Sequence, residues 1–449
     1  MKNLSATKKV FAIVGALIVL ISAVGCGGGK GGNTNKNNPT SAVLPKLNIT
    51  GEKVKFLTWD DAAALSKPDS YWYKVNEIMK KEYGCELEFV YANYADIATK
   101  LVTSVLSNQA PDLVKVRGED FPNHIHKDII DSPDDMIDWD SALWKDVKEI
   151  NKSGMYKGKH YLINFEKYCG GVVFYNKEMF DANGLETPWE LYKKKQWTWS
   201  KMEELAQVLT QDTDRDGIID IYGFQVHPIR MIPTCGQDFV TLDENGKYVS
   251  NIRNASLRKL MDFVYNTGMV GTNCRELSLN GENAFKNDRL AMFWDEYWRI
   301  GSFADDYKSG KVEFAPSPKM DGADKYYVQF GGDCAFVAKN APNKGGAVAY
   351  LCAQRFLRTD PECVAKSRKE QMENYGFGEE EMARIDELEN GDFEFVTSRS
   401  AGVGEWGNVA VWELYNEIGV YENPWNTVLE KYEPILKAEI QTANAMSEE

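Results

Sequence analysis

Two short stretches decide the fold: VKFLTWDD at 54–61 and PDLVKV at 111–116. Each reads as a β-strand, and two helical patterns with a further strand pattern lie between them. Strands that alternate with helices predict βαβ units and a largely parallel sheet. Ligands bind beyond the carboxyl ends of the strands in such sheets. Residues 59–61 and 117–120 would both lie at these ends.

The length and charge of the chain limit its organisation and its partners. It has 449 residues and a formal net charge of −15 at pH 7. That length exceeds what one hydrophobic core usually holds, so two lobes are expected. The acidic excess argues against nucleic acid and anionic lipid as partners. Aromatic residues make up 12% of the chain, which leaves rings for a stacking site in addition to those of the core.

The N-terminus has the layout of a secretory signal, with lysines in its first nine positions and an apolar run at 10–24. The run is shorter than the roughly 20 residues of a membrane-spanning helix. It ends in SAVGC at 22–26, which resembles a bacterial lipobox and predicts a lipidated Cys26; the alternative is an ordinary signal with an incidental cysteine. We expect a signal peptide at 1–25, a flexible tether at 26–50 and a protein anchored by lipid to the extracytoplasmic face of the cell membrane.

The remaining cysteines do not form a recognisable framework. They are Cys85, Cys169, Cys235, Cys274, Cys334, Cys352 and Cys363. Their odd number and the absence of a CxxC pair fit neither a set of disulfides nor a zinc site. We expect them to be mostly buried thiols.

Several segments occur in the order found in one known family. They are Trp59 after the first strand, PDL at 111–113, GK at 158–159, VFYNK at 173–177, NGL at 183–185, AFKNDRLAM at 284–292, GG at 331–332 and a helical pattern at 347–356. This ordered set, with the lipobox-like N-terminus, resembles the extracellular solute-binding proteins of family 1, the sugar-binding receptors of ABC importers related to maltose-binding protein. The long stretch at 189–199 departs from the family's pattern.

The resemblance implies an α/β protein with the two-lobed, type II periplasmic-binding-protein fold. Each lobe would contain a mostly parallel sheet flanked by helices, and hinge crossovers would join the lobes, with ligand held in the cleft. Lobe 1 would comprise 51–168 and 331–365, and lobe 2 would comprise 169–330 and 366–449. The acidic segment at 370–392 has no assigned role in either lobe.

Sugar recognition needs aromatic rings that stack on apolar C–H faces and carboxylates or amides that accept hydroxyl hydrogen bonds. Several segments place both kinds of side chain next to each other. The predicted ligand-binding residues are Trp59, Asp60, Asp61, Glu119, Trp294, Asp295, Trp298, Gly332, Asp333 and Trp406. By the resemblance, 294–298 falls where family members place an aromatic side chain of the cleft. The alternative for each tryptophan is an ordinary place in the core.

We expect the substrate-binding component of an ABC importer, which binds a mono- or oligosaccharide reversibly and delivers it to membrane permease subunits. Because the predicted segments carry more Asp and Glu than Arg, an amine or a peptide is the alternative solute. An enzyme that processes surface glycans is a further alternative, but the sequence contains no G-x-S-x-G, P-loop or H-E-x-x-H motif. We therefore predict a monomeric binding protein that is not an enzyme and requires no cofactor.

One acidic loop predicts a structural calcium site away from the sugar. DTDRDGIID at 212–220 places oxygen-bearing side chains at positions 1, 3, 5 and 9 and glycine at position 6, as in an EF-hand-type loop. Position twelve is Gly223, so the bidentate glutamate of such loops is missing, and a solvated acidic turn is the alternative. The predicted calcium ligands are Asp212, Asp214, Asp216 and Asp220.

Overall fold

The computed structural model describes residues 42–68, 70–116, 121–277, 280–375, 377–403 and 410–445. These residues form two compact units. Unit 1 comprises the described residues within 1–117, 128–167 and 332–390, and unit 2 those within 118–127, 168–331 and 391–449. Both units contain helices and sheets and the chain enters each of them more than once, so the α/β fold with two lobes is confirmed.

Most strands are short. In chain order they are β1 (Lys53–Thr58), β2 (Glu86–Tyr91), β3 (Leu113–Val116), β4 (Ile130–Asp131), β5 (Met155–Tyr156), β6 (Lys159–His160), β7 (Ile163–Asn164), β8 (Tyr168–Cys169), β9 (Gly171–Asn176), β10 (Tyr222–Val226), β11 (Val240–Leu242), β12 (Tyr248–Ser250), β13 (Leu290–Glu296), β14 (Val312–Pro316), β15 (Tyr326–Gly331), β16 (Cys334–Ala338) and β17 (Phe393–Val396).

The longest helices lie in the last quarter of the chain. In chain order the helices are α1 (Tyr71–Ile78), α2 (Ile97–Leu106), α3 (Asn123–His126), α4 (Lys148–Asn151), α5 (Lys177–Ala182), α6 (Pro188–Lys193), α7 (Trp199–Leu209), α8 (Ala255–Asn266), α9 (Gly281–Lys286), α10 (Ala304–Lys308), α11 (Lys344–Thr359), α12 (Pro361–Tyr375), α13 (Glu379–Asn390), α14 (Ala410–Gly419) and α15 (Trp425–Ala445).

The unit 1 sheet has the strand order β2-β1-β3-β16-β4, and β7 also pairs with β16. β1 runs parallel to β2 and β3, as the βαβ pattern predicts. β16 runs antiparallel to β3, β4 and β7. Because β16 follows a crossing from unit 2 rather than a helix on the sheet, no βαβ connection fixes its direction. Its first residue therefore lies at the edge where β3 ends.

The core of unit 1 forms between this sheet and α11. The helix begins after Asn343, whose side chain accepts a hydrogen bond from the Gly346 N–H at 2.9 Å. The Phe56 ring of β1 contacts the rings of Trp72 and Tyr350, with centres 5.9 and 4.9 Å away. Burial of such side chains stabilises the fold by about 25 cal/mol per Å² of apolar surface.

The unit 2 sheet has the strand order β10-β13-β9-β14. Only β10 and β13 run parallel, whereas β9 is antiparallel to both of its neighbours. A mostly parallel sheet therefore describes the β1, β2 and β3 part of unit 1 but not unit 2. The reason is again the connectivity, since β9 enters directly after the chain crosses from unit 1 at 167–168. A separate small sheet places β15 between β17 and β8.

The expectation of a flexible tether at 26–50 is wrong for its last part, residues 42–50. Thr50 N–H donates to Asn343 Oδ1 at 3.1 Å. Apolar side chains of this stretch alternate with exposed ones, which lets them pack on unit 1; they are Ala42, Leu44, Leu47 and Ile49. Residues 26–41 and the predicted signal peptide at 1–25 lie outside the described residues.

The observed boundary differs from the one predicted at 365–366, because the described residues of 366–390 belong to unit 1. Most of the acidic segment at 370–392 forms the end of α12 and all of α13. An ion pair between Lys74 of α1 and Glu370 of α12 joins these helices to the rest of the unit. Residues 121–127, in contrast, are grouped with unit 2 although lobe 1 was their expected place.

Within the described residues, none of the cysteines that follow Cys26 takes part in a disulfide, and each of them except Cys363 is buried, as expected. Within the described part of the chain, no helix combines the length and the apolar character that a membrane span needs.

Candidate ligand-binding site

Charged side chains converge at one edge of the unit 1 sheet. Asp60 follows β1, Lys115 lies near the end of β3, and Asp333 precedes β16. β1 and β16 are the two neighbours of β3, and β16 runs in the opposite direction, so the topology brings these three positions together. Asp60 and Asp333 are predicted ligand-binding residues, and Lys115 is not.

Lys115 is the centre of this cluster. Its Nζ lies 2.7 Å from Asp333 Oδ2 and 3.2 Å from Asp60 Oδ2, and its side chain is only 7% exposed. The same atom lies 4.9 Å from the centre of the Trp59 ring. Burial alone would lower the pKa of Lys115, but the carboxylates of Asp333 and Asp60 outweigh it and raise the pKa above its ordinary value. The lysine therefore stays charged and holds both carboxylates. We call Trp59, Asp60, Lys115 and Asp333 the Lys115 cluster.

A buried ion pair lies behind Asp333. The Asp333 N–H donates to Glu166 Oε1 at 2.7 Å, and Glu166 Oε2 lies 2.5 Å from an Arg358 Nη2. Burial raises the pKa of Glu166 well above its ordinary value and lowers that of Arg358 to about 9. A buried ion pair is weak evidence for a gain in stability, because desolvation offsets much of the attraction. Its visible consequence here is a fixed backbone at Asp333.

Trp59 presents an aromatic ring at the same edge. The residue is partly buried, and the Tyr94 ring meets it edge-on, with ring centres 4.9 Å apart and an interplanar angle of 67°. Such edge-to-face pairs are favourable beyond their area of contact. The ring therefore has a defined orientation, set by Lys115 and Tyr94, while part of it remains open to a ligand.

Two other predicted residues at this edge have local backbone roles. Asp61 is exposed and accepts a hydrogen bond from the Ala63 N–H at 2.9 Å, which caps the 3-10 turn Ala62–Ser66. Gly332 has φ 134°, in the region that favours glycine. Their contact with a ligand stays a prediction.

Unit 2 has its own charged cluster at the end of β13, where Asp295 and Glu296 are the last residues of the strand. Arg230 Nε lies 3.2 Å from Asp295 Oδ1, and Arg230 Nη1 lies 2.6 Å from Glu296 Oε1. Arg299 Nε lies 3.1 Å from Asp295 Oδ2. Burial raises the pKa of Asp295 although both arginines oppose it. For Glu296, Arg230 and further hydrogen bonds outweigh burial, and the pKa is lowered.

The two tryptophans predicted in this part of unit 2 differ in their surroundings. Trp294 is 1% exposed, and its ring N–H donates to Ser317 Oγ at 2.9 Å. Trp294 therefore lies in the core, which was the alternative to a ligand-binding role. The reason is that β13 is a central strand with neighbours on both sides. Trp298 is only partly buried; its ring N–H donates to Glu296, and the Arg299 guanidinium lies 4.3 Å from its centre.

Sequence reasoning missed Lys115, Glu166, Arg358 and Arg230. Lys115 gave a signal, because it is the single charged residue in the otherwise apolar strand β3. Glu166, Arg358 and Arg230 lie in stretches whose sequence pattern does not predict a role in the site. Only the fold brings them to their partners. The predicted residues Glu119, Trp406 and Cys26 lie outside the described residues.

The acidic loop brings carboxylates together as predicted, but only in part. One ligand oxygen of each of Asp212, Asp214 and Asp216 lies within 4.8 Å of the others. Asp220 Oδ2 instead accepts hydrogen bonds from the N–H and the hydroxyl of Thr213, at 2.7 and 2.5 Å. The side chains present therefore offer three of the four predicted oxygens to a hard cation.

Residues 75–367 match the protein family described as bacterial extracellular solute-binding protein. The match runs from within α1 to within α12 and covers more than half of the chain. The chain belongs to this family. The resemblance seen in the sequence is thereby confirmed, and the family is one of binding proteins.

Solved structures of solute-binding proteins have the same fold. The ABC substrate-binding protein Lmo0181 from Listeria monocytogenes, in complex with cycloalternan, has a TM-score of 0.62 at 15% identity, over 87% of this chain and 99% of that chain. The maltose/maltodextrin-binding domain MalE from Bdellovibrio bacteriovorus, bound to maltotriose, has a TM-score of 0.58 at 16% identity, over 87% and 100%. UgpB from Mycobacterium tuberculosis, in complex with glycerophosphocholine, has a TM-score of 0.63 at 14% identity, over 87% and 99%. None of the curated proteins matches the chain.

Proposed function

We propose that this solute-binding protein binds a neutral sugar reversibly and delivers it to the permease of an ABC importer. The observation that carries the proposal is the Lys115 cluster, in which one ammonium holds two carboxylates beside an aromatic ring at a strand-end edge. Proteins of the same fold in complex with cycloalternan and with maltotriose support a sugar as the solute.

The Lys115 cluster supplies both kinds of contact that a sugar needs. A sugar ring has an apolar C–H face, which packs on an aromatic side chain, and hydroxyl groups, which donate to carboxylates. Trp59 supplies the ring. An ionised carboxylate has about four acceptor positions, so Asp60 and Asp333 can accept from sugar hydroxyls while they remain bound to Lys115.

The charge of the cluster favours a ligand without acidic groups. Asp60 and Asp333 share one ammonium, and the nearby Glu166 is paired with Arg358. An excess of negative charge therefore remains at the edge. A carboxylate or phosphate on the ligand would be repelled there, whereas hydroxyl groups would not. An amine or a peptide is the remaining alternative solute for the same fold.

We also propose that the protein performs no reaction on its ligand. A typical glycosidase needs one carboxylic acid that donates a proton and a second carboxylate that acts as nucleophile or base. Asp60 and Asp333 are both ion-paired with the Lys115 ammonium, at 3.2 and 2.7 Å. A carboxylate held in this way can accept hydrogen bonds from hydroxyl groups but is not free to act as a nucleophile.

The N-terminal sequence supports a lipid-anchored protein at the extracytoplasmic face of the membrane. The family is extracellular, and the sequence before Cys26 has the layout of a lipoprotein signal. In this proposal Cys26 carries the lipid, the protein works as a monomer, and the permease subunits are its protein partners.

A ligand screen tests the proposed function. The purified protein is titrated with neutral mono- and oligosaccharides, the matching uronic acids, polyamines and short peptides, while the melting temperature and the tryptophan fluorescence are recorded. We expect saturable binding of at least one neutral sugar, weaker binding of its uronic acid and no product. Binding of only a peptide or a polyamine would contradict the sugar assignment. Product formation that a single carboxylate substitution abolishes would contradict the absence of catalysis.

A second proposal concerns the acidic loop: Asp212, Asp214 and Asp216 bind calcium weakly, away from the strand-end cluster of unit 2. The loop precedes the start of β10, and Tyr222 pairs in parallel with Leu290, so it lies at the sheet edge opposite to Asp295. Because the loop offers three carboxylates and has no glutamate at position twelve, we expect a Kd for calcium of ~10⁻⁴ to 10⁻³ M, the range of extracellular calcium-binding modules.

Calcium titration of chelator-treated protein tests this loop. At about ten times the Kd, calcium should raise the free energy of unfolding by about 1.4 kcal/mol, and the sugar Kd should hardly change. Asp214→Asn should abolish this response, whereas Asp243→Asn, in the turn between β11 and β12, should keep it. A melting temperature that does not respond to calcium would count against the site.

A further inference from the structure

Two exposed tyrosines lie beside the Lys115 cluster. Tyr91 is the last residue of β2 and is 57% exposed, and Tyr94 lies in the turn that follows and is 42% exposed. Thr58 and Tyr91 are register partners in the parallel pair of β1 and β2, so Tyr91 lies at the same sheet edge as Trp59. Neither tyrosine belongs to the set of ligand-binding residues predicted from the sequence.

Both rings are held in place although they are exposed. The Tyr91 hydroxyl donates to Asn93 Oδ1 at 2.9 Å, and the Asn93 amide donates to Asp96 Oδ2 at 3.2 Å. Tyr94 is fixed from the other side, by its edge-on contact with Trp59. A ring that is ordered before binding loses less entropy when a ligand stacks on it. Two ordered rings next to a solute-binding edge therefore have the properties of a preformed binding surface.

We propose that Tyr91 and Tyr94, the tyrosine platform, form a further sugar-binding subsite, so that the ligand is an oligosaccharide rather than a monosaccharide. The inference rests on the proposed function and narrows its ligand class. One sugar unit occupies the Lys115 cluster, where hydroxyl groups meet Asp60 and Asp333. The next units extend past Tyr94 and stack on the platform.

The chemistry of the platform explains how it would contribute. Its rings supply apolar faces, and the side chains between and beside them, Asn93 and Asp96, supply amide and carboxylate groups for hydroxyls. Stacking on a ring depends little on which hydroxyl is axial, so the platform selects for ligand length more than for sugar identity. Each stacked ring should lower the Kd by about two- to tenfold.

The test measures how the Kd depends on ligand length in the presence and in the absence of the two rings. Malto-, cello-, xylo- and manno-oligosaccharides of increasing length, and their monosaccharides, are titrated into the wild type and the Tyr91→Ala, Tyr94→Ala double variant by calorimetry. In the wild type, the Kd should fall with each added unit until the platform is filled. In the double variant, the shortest ligand should still bind, with a Kd that rises only as far as loss of the Tyr94 contact frees the Trp59 ring, and the gain with length should be lost.

Two single variants serve as controls. Tyr94→Phe keeps the ring and should keep the dependence on length. Tyr421→Ala removes a comparably exposed tyrosine from unit 2 and should leave every Kd unchanged. The melting temperature of each variant checks that it is folded.

The outcomes separate the subsite from the function itself. Binding of monosaccharides alone, or a Kd that does not vary with length, overturns the subsite while the sugar-binding function stands. A double variant that is folded and keeps the full dependence on length also overturns it. If no saccharide binds and a peptide or polyamine does, the proposed function fails first.

Discussion

At the residue scale, Lys115 determines the properties of the unit 1 edge. A buried lysine is unfavourable unless opposite charges compensate it, and Asp60 and Asp333 do so here. Its ammonium also lies 5.6 Å from the centre of the Trp72 ring. The sequence indicates the two carboxylates because they flank strand patterns. It cannot indicate their common partner, since that depends on distances set by the packing of three strands.

Replacement of Lys115 by methionine should destabilise the protein. Methionine has a similar volume, but it leaves Asp60 and Asp333 without their counter-charge. We expect the free energy of unfolding, measured with urea, to fall by about 1–3 kcal/mol. The expected loss of stability is smaller than for a fully buried ion pair, because the Asp333 side chain is 38% exposed.

The loss of stability caused by Lys115→Met should depend on pH. Burial already raises the pKa of Asp333 in the wild type, and removal of the ammonium raises it further. The folded variant then binds more protons than the unfolded chain, so its stability falls as the pH rises from about 4 towards neutrality. The difference from the wild type should be smaller at about pH 5 than at about pH 8.

A surface lysine provides the control. Lys148 pairs with the exposed Asp140 at 2.6 Å. Lys148→Met should therefore destabilise the protein far less than Lys115→Met, with little dependence on pH. Equal losses in the two lysine variants would show that Lys115 does not hold the cluster together.

At the element scale, local patterns indicate which helices exist more reliably than where they begin. The spacing of Ser200 and Glu203 predicts a helix cap at Ser200. The helix α7 is present, but its cap is Thr198, and the Ser200 N–H bonds to Asp321 Oδ2 at 3.1 Å. That contact joins positions far apart in the sequence, so no local spacing could reveal it. A capping box does occur one helix earlier, at Thr187 and Glu190.

The pairing of β8 and β15 should not tolerate a side chain at Gly331. A Cβ at this position would lie 2.4 Å from the Tyr168 ring and 2.7 Å from Gly170 Cα. Gly331→Ala should lower the free energy of unfolding by about 1–3 kcal/mol, as overpacking does in other cores. Gly51→Ala is the control, because its Cβ would meet nothing nearer than the Asn343 amide at 3.9 Å. Matching urea midpoints for the two variants would refute the close approach of these strands.

At the scale of the whole molecule, length predicted two lobes, the alternating pattern at 54–116 predicted βαβ units, and the family resemblance extended the α/β prediction to both lobes. They were not enough to divide the last quarter of the chain. α12 and α13 read as acidic and solvated, yet they join unit 1, and α13 does so through a few buried side chains: Met382, Arg384, Ile385 and Leu388. Residues 42–50 likewise pack on a unit although they follow a polar stretch. In both cases a small number of contacts with distant residues decides the position, and composition does not show them.

Attachment to the membrane should depend on Cys26. Each acyl methylene buried in the bilayer contributes about 0.8 kcal/mol, so the chains on one cysteine would dominate the partition of the whole molecule. Cys26→Ser should move the protein from the membrane to the soluble fraction after ultracentrifugation. Cys363→Ser, which changes a partly buried thiol of unit 1, should remain with the membrane. A Cys26→Ser protein that stays with the membrane would refute the lipid anchor.

The central claim is that the Lys115 cluster binds the sugar, and the measurement that tests it most directly is the Kd of Trp59→Ala for the sugar found in the ligand screen. Calorimetry should show a Kd at least about tenfold higher than that of the wild type, because the stacking ring is lost. Trp189→Ala, which removes another partly buried tryptophan, in α6 of unit 2, should leave the Kd unchanged. A folded Trp59→Ala variant that binds the sugar with the wild-type Kd would contradict the account.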